Sequence, residues 1–137
     1  MEGVEGMQKN MKRLAAILLT IYMPAAAAEL APYIVVNADA IPEPLIEVAP
    51  DPELGAALML GTGCSACHQK DLNGIGERLS EGQMRLMIVA PELRIPDTSM
   101  PAYYSVGVYG AVAEDQVGET RLSAEEIEAI ISYLKTL

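Results

Sequence analysis

Cysteine and histidine occur together at one place in this chain, in the run Cys64-Ser65-Ala66-Cys67-His68. It holds the only two cysteines and the only histidine of the 137 residues. A C-x-x-C-H pattern is typical of covalent attachment of a c-type haem. Two thiols three residues apart can form thioethers with the two vinyl groups of one porphyrin, and the adjacent imidazole can bind the iron. The pattern therefore predicts one covalently attached haem c, held by Cys64, Cys67 and His68.

Two other chemistries use similar residues and fit less well. A thioredoxin-like redox pair needs a βαβ pattern around the cysteines, and the sequence shows none. A zinc site needs a further soft ligand, and no other Cys or His is present. The chain also has no Phe and no Trp. A haem would fill the space that large aromatic rings normally occupy in a core.

The second axial ligand of the iron is predicted by elimination. The chain has no second histidine and no third cysteine. Lys70 lies two residues after His68 and should stay on the same side of the haem. Lys135 is expected to face solvent from the last helix. The methionines are then the remaining candidates.

Met100 is the methionine that we predict as the ligand. Pro101 follows it and favours an extended backbone at Met100, from which the thioether can project onto the haem. Met84 and Met87 fall on a predicted helix and are interpreted as core residues. They remain alternatives, as does an open site. Histidine–methionine ligation raises the reduction potential and leaves no position for substrate, so this haem should pass electrons.

Residues 1–28 have the features of a secretory signal peptide. Three basic residues between positions 9 and 13 precede an apolar run at 14–28, which ends in Ala26-Ala27-Ala28. That ending matches an A-x-A cleavage site and predicts a periplasmic protein cleaved near Ala28. A membrane anchor is the alternative, but a span needs about 20 apolar residues. We expect no membrane span in the mature chain.

The segment 29–50 is predicted to be an extended arm that precedes one domain at 51–137. Pro32, Pro42, Pro44 and Pro50 exclude a long helix there. The segment nevertheless carries apolar residues that a free linker would not need. The arm either packs on its own domain or docks on a partner subunit.

Three main helices are predicted from their start signals. Asp51 is a candidate N-cap with proline at the first helical position. Ser80 with Gln83, and Ser123 with Glu126, form two candidate capping boxes. The second helix should end before Pro91, and a long loop then precedes the third.

The predicted fold class is all-α, a class I cytochrome c fold with three main helices around one covalent haem. The first and last helices should cross beside that haem. On the last helix, Ile127, Ile130, Ile131 and Leu134 form one apolar stripe. On the first, Leu54, Ala57, Leu58 and Gly61 are expected to share the buried face, and Gly55 and Gly61 to permit close approach.

The charge of the chain excludes one class of partner. There are 9 Lys and Arg against 19 Asp and Glu, for a formal net charge of −10. A nucleic-acid binder would carry a basic patch instead. Arg78, Arg85 and Arg94 lie around the second helix. We expect them to be ordinary surface charges, with a haem propionate as the alternative partner of one.

Two runs of sequence resemble the SoxX family, the small monohaem cytochromes of bacterial sulfur oxidation. They are GERLSEGQMRL at 76–86 and PDTSMPAYY at 96–104, and the resemblance covers about residues 54–137. It implies a heterodimer with SoxA, a larger c-type cytochrome. That complex conjugates thiosulfate to a cysteine of the carrier SoxYZ, and a soluble cytochrome accepts the electrons.

The same resemblance implies roles for single residues. Cys64, Cys67 and His68 match the haem motif of the family, and Met100 matches its distal ligand. The reactive haem belongs to SoxA, so this chain would not be catalytic alone. The family usually has a G-P element after the haem histidine, whereas this chain has no proline between His68 and Pro91. The alternative function is a free monohaem electron shuttle.

Overall fold

A computed structural model of the protein describes residues 30–69, 71–106 and 119–137. The predicted signal peptide at 1–28, Glu29 of the predicted arm, Lys70 and residues 107–118 of the long loop lie outside these ranges. The described elements are five α-helices and one 3-10 turn. They are α1 (Pro52–Gly61), α2 (Cys64–His68), α3 (Ile75–Arg78), α4 (Glu81–Val89), the 3-10 turn Pro91–Leu93 and α5 (Ala124–Leu134).

The described residues are all-α, as predicted. Their only β-type pairing is an isolated bridge between Val36 and Ala40. None of the helices in these ranges is long and apolar enough to cross a membrane.

The three predicted helix starts are confirmed by their capping hydrogen bonds. The Asp51 carboxylate accepts from the backbone N–H of Leu54 at 2.9 Å. Ser80 and Ser123 each accept from the backbone N–H three residues on, at 3.2 Å, and both capping boxes are complete. These bonds satisfy N–H groups that have no partner within the helix.

Helix α5 packs its predicted apolar stripe into the core. Ile127 is fully buried, and Ile130, Ile131 and Leu134 are at most 6% exposed. The carboxylates of Glu125 and Glu126 lie in its first turn, where the positive end of the helix dipole favours them.

Helix α1 crosses α5 through Gly55. A Cβ atom added to Gly55 would contact the carbonyl oxygen of Ala129 and lie 2.8 Å from the Cβ of Tyr133. Only glycine permits the two backbones to approach this closely. The predicted role of Gly55 is therefore confirmed, whereas Gly61 has open space around it.

The predicted buried face of α1 is wrong except at Leu58, which is half-buried and packs against the core. Leu54 is 42% exposed and Ala57 is also exposed, while the buried residues of the helix are Gly55 and Met59. The helix has no charged residue after Glu53, so no polar face fixes its orientation. The glycine contact with α5 decides which side is buried.

The arm packs along its own domain between α4 and α5. Ile41 is 1% exposed and Leu45 is 6% exposed. The N–H of Ile41 donates to the Gly82 carbonyl at 2.9 Å, and the N–H of Leu45 donates to Glu128 Oε1 at 2.9 Å. These contacts agree with the first of the two interpretations of the arm.

The surface or propionate role expected for Arg85 is wrong. Its side chain is 1% exposed and pairs with Glu128 through two hydrogen bonds, of 2.7 and 2.8 Å. Its remaining nitrogen donates to the Ile41 carbonyl at 2.8 Å. Arg85 thus joins α4, α5 and the arm, and all its donor nitrogens are used. Arg94 pairs with Asp39 of the arm at 3.3 Å.

Candidate functional site

One apolar cavity of about 150 Å³ collects three of the four residues predicted to hold the haem, and Cys67 is not among its lining residues. Cys64, His68 and Met100 all line it. The other walls come from every helix and from the long loop, through Met59, Leu72, Ile75, Leu79, Met84, Met87, Ile88, Tyr103, Leu122, Ile130 and Leu134. No Asp, Glu, Lys or Arg of the described residues lines this cavity.

Helix α2 brings the thiol and the imidazole to the cavity. Cys64 and His68 are four residues apart and therefore share one face of this helix. Cys67 lies on the adjacent side and is exposed, whereas Cys64 is half-buried. Gly63 begins the helix with a φ of 80°, in the left-handed region that glycine tolerates best. The hydroxyl of Thr62 lies 3.2 Å from the Cys64 sulfur.

The loop after α4 brings Met100 to the same cavity. The N–H of Met100 donates to the Thr98 hydroxyl at 3.2 Å. The loop is tied down just beyond it, since the N–H of Tyr103 donates to the Ile88 carbonyl at 2.9 Å. The N–H of Leu122 in turn donates to the Tyr103 carbonyl at 3.1 Å. Met100 is thus half-buried on a braced segment.

Three further methionines line the cavity and belong to helices. Met59 and Met84 are 8% and 2% exposed and form part of the hydrophobic core, and Met87 is half-buried. The interpretation of Met84 and Met87 as apolar packing residues agrees with these positions. Met59 was not expected at the cavity, because its orientation depends on which face α1 buries.

The two tyrosines after Met100 have different surroundings. Tyr103 lines the cavity, while Tyr104 faces the arm, where its hydroxyl accepts from the N–H of Ala31 at 2.8 Å. Burial raises the pKa of Tyr103, and the neighbouring Cys64 raises it further, against a lowering by Arg121. The Tyr103 hydroxyl is therefore neutral at physiological pH.

The residues of the cavity fit a haem. The walls are apolar and suit a porphyrin, while imidazole and thioether groups are known haem-iron ligands. Within the described ranges, no group of three or more His, Cys, Asp and Glu residues could hold a bare metal ion. The side chains of the C-x-x-C-H motif are therefore not arranged as a zinc site.

The comparison with protein families identifies the class. The sequence model of the cytochrome c family matches residues 52–137, and the chain belongs to this family. The predicted covalently bound haem c and class I cytochrome fold are confirmed by this membership.

A solved structure gives the more particular likeness. The chain is similar to one in a crystal structure of SoxXA from P. pantotrophus, with 26% sequence identity and a TM-score of 0.64. The match covers 76% of this chain and 93% of that chain. No curated protein matches the sequence. The resemblance to SoxX predicted from the sequence is confirmed, and the protein is a SoxX-like cytochrome c that transfers electrons.

Proposed function

We propose that this chain is the electron-transfer subunit of a periplasmic, thiosulfate-oxidising complex of the SoxAX type. Its partner would be a larger SoxA-like cytochrome. The complex would conjugate thiosulfate to a carrier-protein cysteine of the SoxYZ type, with release of two electrons. The observation that carries the proposal is the likeness to a chain of SoxXA over 93% of that chain's length.

In this proposal Cys64 and Cys67 would bind the porphyrin covalently, and His68 and Met100 would bind the iron. The position of Cys64, His68 and Met100 on one cavity supports the assignment. The haem supplies one-electron chemistry when bound. The protein supplies both axial ligands, the apolar walls and a neutral hydroxyl at Tyr103. With His68 and Met100 both bound to the iron, the haem would have no position for substrate and would transfer electrons only. The chain would take these electrons from its partner and pass them to a soluble cytochrome.

The periplasmic location rests on the sequence pattern of residues 1–28. Covalent haem attachment agrees with it, because this attachment takes place outside the bacterial cytoplasm. A mature protein that begins near residue 29, with the arm at 29–50 and the domain at 51–137, is part of the same proposal. N-terminal sequencing of the protein purified from its host tests the cleavage site directly.

The outer face of α1 supports a protein partner. Leu54 and Leu60 are 42% and 73% exposed, and Ala57 between them is exposed too. No charged residue occurs from 54 to 69, in a chain of net charge −10. This uncharged surface leads directly into α2, where Cys67 is exposed. A contiguous apolar surface of this kind is typical of a protein interface.

The arm offers a second surface for the partner. Ile34 is 77% exposed, although Ile41 and Leu45 of the same arm are buried. Deletion of the whole arm would expose the core and remove partners of Arg85 and Glu128. The variants Ile34→Ser and Leu60→Ser are better probes, because each changes one exposed side chain and leaves the core intact.

A tagged pull-down tests the proposal. The full chain is captured from the periplasm of its native host grown on thiosulfate, and a denaturing gel is stained for covalent haem. We expect a stained band of this chain and a larger stained partner, which the Leu60→Ser variant captures less well. A small stained band alone, with electron transfer intact, would favour the alternative of a free shuttle. No stain at this size would contradict haem attachment itself.

A further inference from the structure

The segment that follows His68 forms one wall of the cavity. Leu72, Ile75 and Leu79 of this segment line it. The N–H of Asp71 donates to the His68 carbonyl at 2.8 Å. The backbone of the segment is therefore hydrogen-bonded directly to the residue that carries the imidazole. Its shape therefore bears on the position of the His68 side chain.

Arg78 spans this segment from the outside. Its Nη1 atom donates to the Asn73 carbonyl at 2.6 Å, and its Nη2 atom donates to the Asp71 carbonyl at 3.1 Å. A planar guanidinium presents its donors in a fixed fork, so it can hold two carbonyls at a defined separation. Within the described ranges Arg78 forms no ion pair. Its guanidinium instead forms hydrogen bonds with these two carbonyls.

The rest of the segment is held by the end of the chain. The N–H of Gly74 donates to the Leu137 carbonyl at 2.6 Å. A Cβ atom on Gly76 would lie 2.9 Å from the Cα of Lys135, so the backbones are in close contact there. Residues 74–76 are therefore held by the end of α5 and the residues after it, whereas the carbonyls of Asp71 and Asn73, closer to His68, are held by Arg78.

Among the described residues the imidazole of His68 has no hydrogen-bond partner, so the support that these residues offer it comes from the backbone segment after it. Groups that orient a metal-binding histidine usually act through a hydrogen bond to its second ring nitrogen. The chain also has no proline between His68 and Pro91 that would stiffen the segment.

We propose that Arg78 is a positioning residue for the proximal side of the haem. By clamping the Asp71 and Asn73 carbonyls, it fixes the backbone at residues 71–73 and thereby the orientation of the His68 imidazole. This proposal rests on the proposed role of His68 as an iron ligand. It assigns Arg78 no contact with haem.

The test compares the haem-loaded full chain with Arg78→Ala and Arg78→Lys. Arg94→Ala is the matched control, because it removes an arginine that binds the arm instead of this segment. Three properties are measured. They are the electron paramagnetic resonance signal of the ferric haem, which responds to imidazole orientation, the reduction potential, and hydrogen exchange of the Asp71 amide.

We expect Arg78→Ala to shift the resonance signal and the potential and to accelerate exchange at Asp71. Arg78→Lys should behave similarly, since one ammonium group cannot reproduce the two-carbonyl fork. The Arg94→Ala control should match the unmodified protein in all three properties. A folded Arg78→Ala protein with an unchanged signal and potential would overturn the proposal. If Arg78→Ala carries no haem, the signal and potential of Arg78→Lys are compared with those of the unmodified protein instead, and unchanged values would overturn the proposal.

Failure of the proposed iron ligation would look different. His68→Ala would then keep the low-spin ferric signal of the unmodified protein, whatever Arg78 does. If His68→Ala loses that signal and Arg78→Ala does not alter it, only the positioning role is refuted.

Discussion

Helices α1 and α5 cross at Gly55 but present opposite surfaces to solvent. Helix α5 buries six aliphatic residues and exposes Glu125, and its largely buried Glu128 reaches Arg85 and the arm. Helix α1 buries little besides Gly55 and Met59, and it exposes Leu54 and Leu60. One helix therefore serves the interior of the domain, while the other leaves an apolar face available next to the haem motif.

The difference shows what fixes the orientation of a helix. The apolar stripe of α5 contains no charged residue, so its buried face is determined by its own sequence. Helix α1 has no charged residue after Glu53 that would keep one of its sides out of the core. Its orientation is set by steric fit, because Gly55 is the position at which the α5 backbone can be approached.

Substitution of an acidic residue should change the free energy of unfolding much more in α5 than in α1, and this is the largest difference that we expect between the two helices. Glu128→Ala would leave the buried Arg85 guanidinium unpaired and should lower the free energy of unfolding by about 3–5 kcal/mol. Glu53→Ala on α1 removes an exposed carboxylate of the first turn and should cost less than about 1 kcal/mol. Denaturant unfolding of the haem-loaded proteins measures both. Equal losses would refute the structural role of the Arg85–Glu128 pair.

Aliphatic residues should give the next largest difference. Ile127→Ala creates a cavity at a fully buried position and should cost about 2–5 kcal/mol. Leu60→Ala acts at a residue that is 73% exposed and should stay within about 0.5 kcal/mol. Thermal and denaturant unfolding are the measurements. A large loss from Leu60→Ala would mean that the outer face of α1 is covered within the chain.

Glycine substitutions test the crossing itself. Gly55→Ala forces a methyl group against the α5 backbone and should cost about 1–3 kcal/mol. Gly61→Ala is the control, because nothing lies within 4 Å of the added methyl group. It should be neutral or stabilise the protein by up to about 1 kcal/mol. If both variants unfold at the same denaturant concentration, the close crossing of α1 and α5 is wrong.

Substitutions of the N-cap residues should have the smallest effects on the free energy of unfolding. These effects should be equal for α1 and α5. Asp51→Ala and Ser123→Ala each remove one side-chain acceptor from a helix start and should cost about 1 kcal/mol. The conservative variants Asp51→Asn and Ser123→Thr should retain most of the stability. A cap whose loss costs nothing would show that its helix is held by tertiary contacts alone.

Local patterns were sufficient to predict much of the fold. The three main helices begin at the caps expected from Asp51, Ser80 and Ser123, because each cap depends on residues within three positions. The α5 stripe was predicted for a similar reason. Helices α2 and α3 were missed, since elements of five and four residues are too short to show a periodic pattern.

Long-range contacts were beyond the reach of such patterns. The burial of Arg85 depends on Glu128 and Ile41, which are 43 and 44 residues away in the sequence. At the site, the i, i+4 spacing explains why Cys64 and His68 share the cavity. The approach of Met100 to the cavity depends on long-range anchors, since Tyr103 is tied to Ile88 on one side and to Leu122 on the other. Its role as the iron ligand stays a prediction.

The most direct test of the account is the optical spectrum of the oxidised, haem-loaded protein and its methionine variants. A thioether bound to ferric haem iron gives a long-wavelength absorption band. We predict that Met100→Ala loses this band and has a lower reduction potential. Met84→Leu, a volume-conserving change in the core, should keep both. A band that persists in Met100→Ala, or vanishes in Met84→Leu, would contradict the ligation on which the account rests.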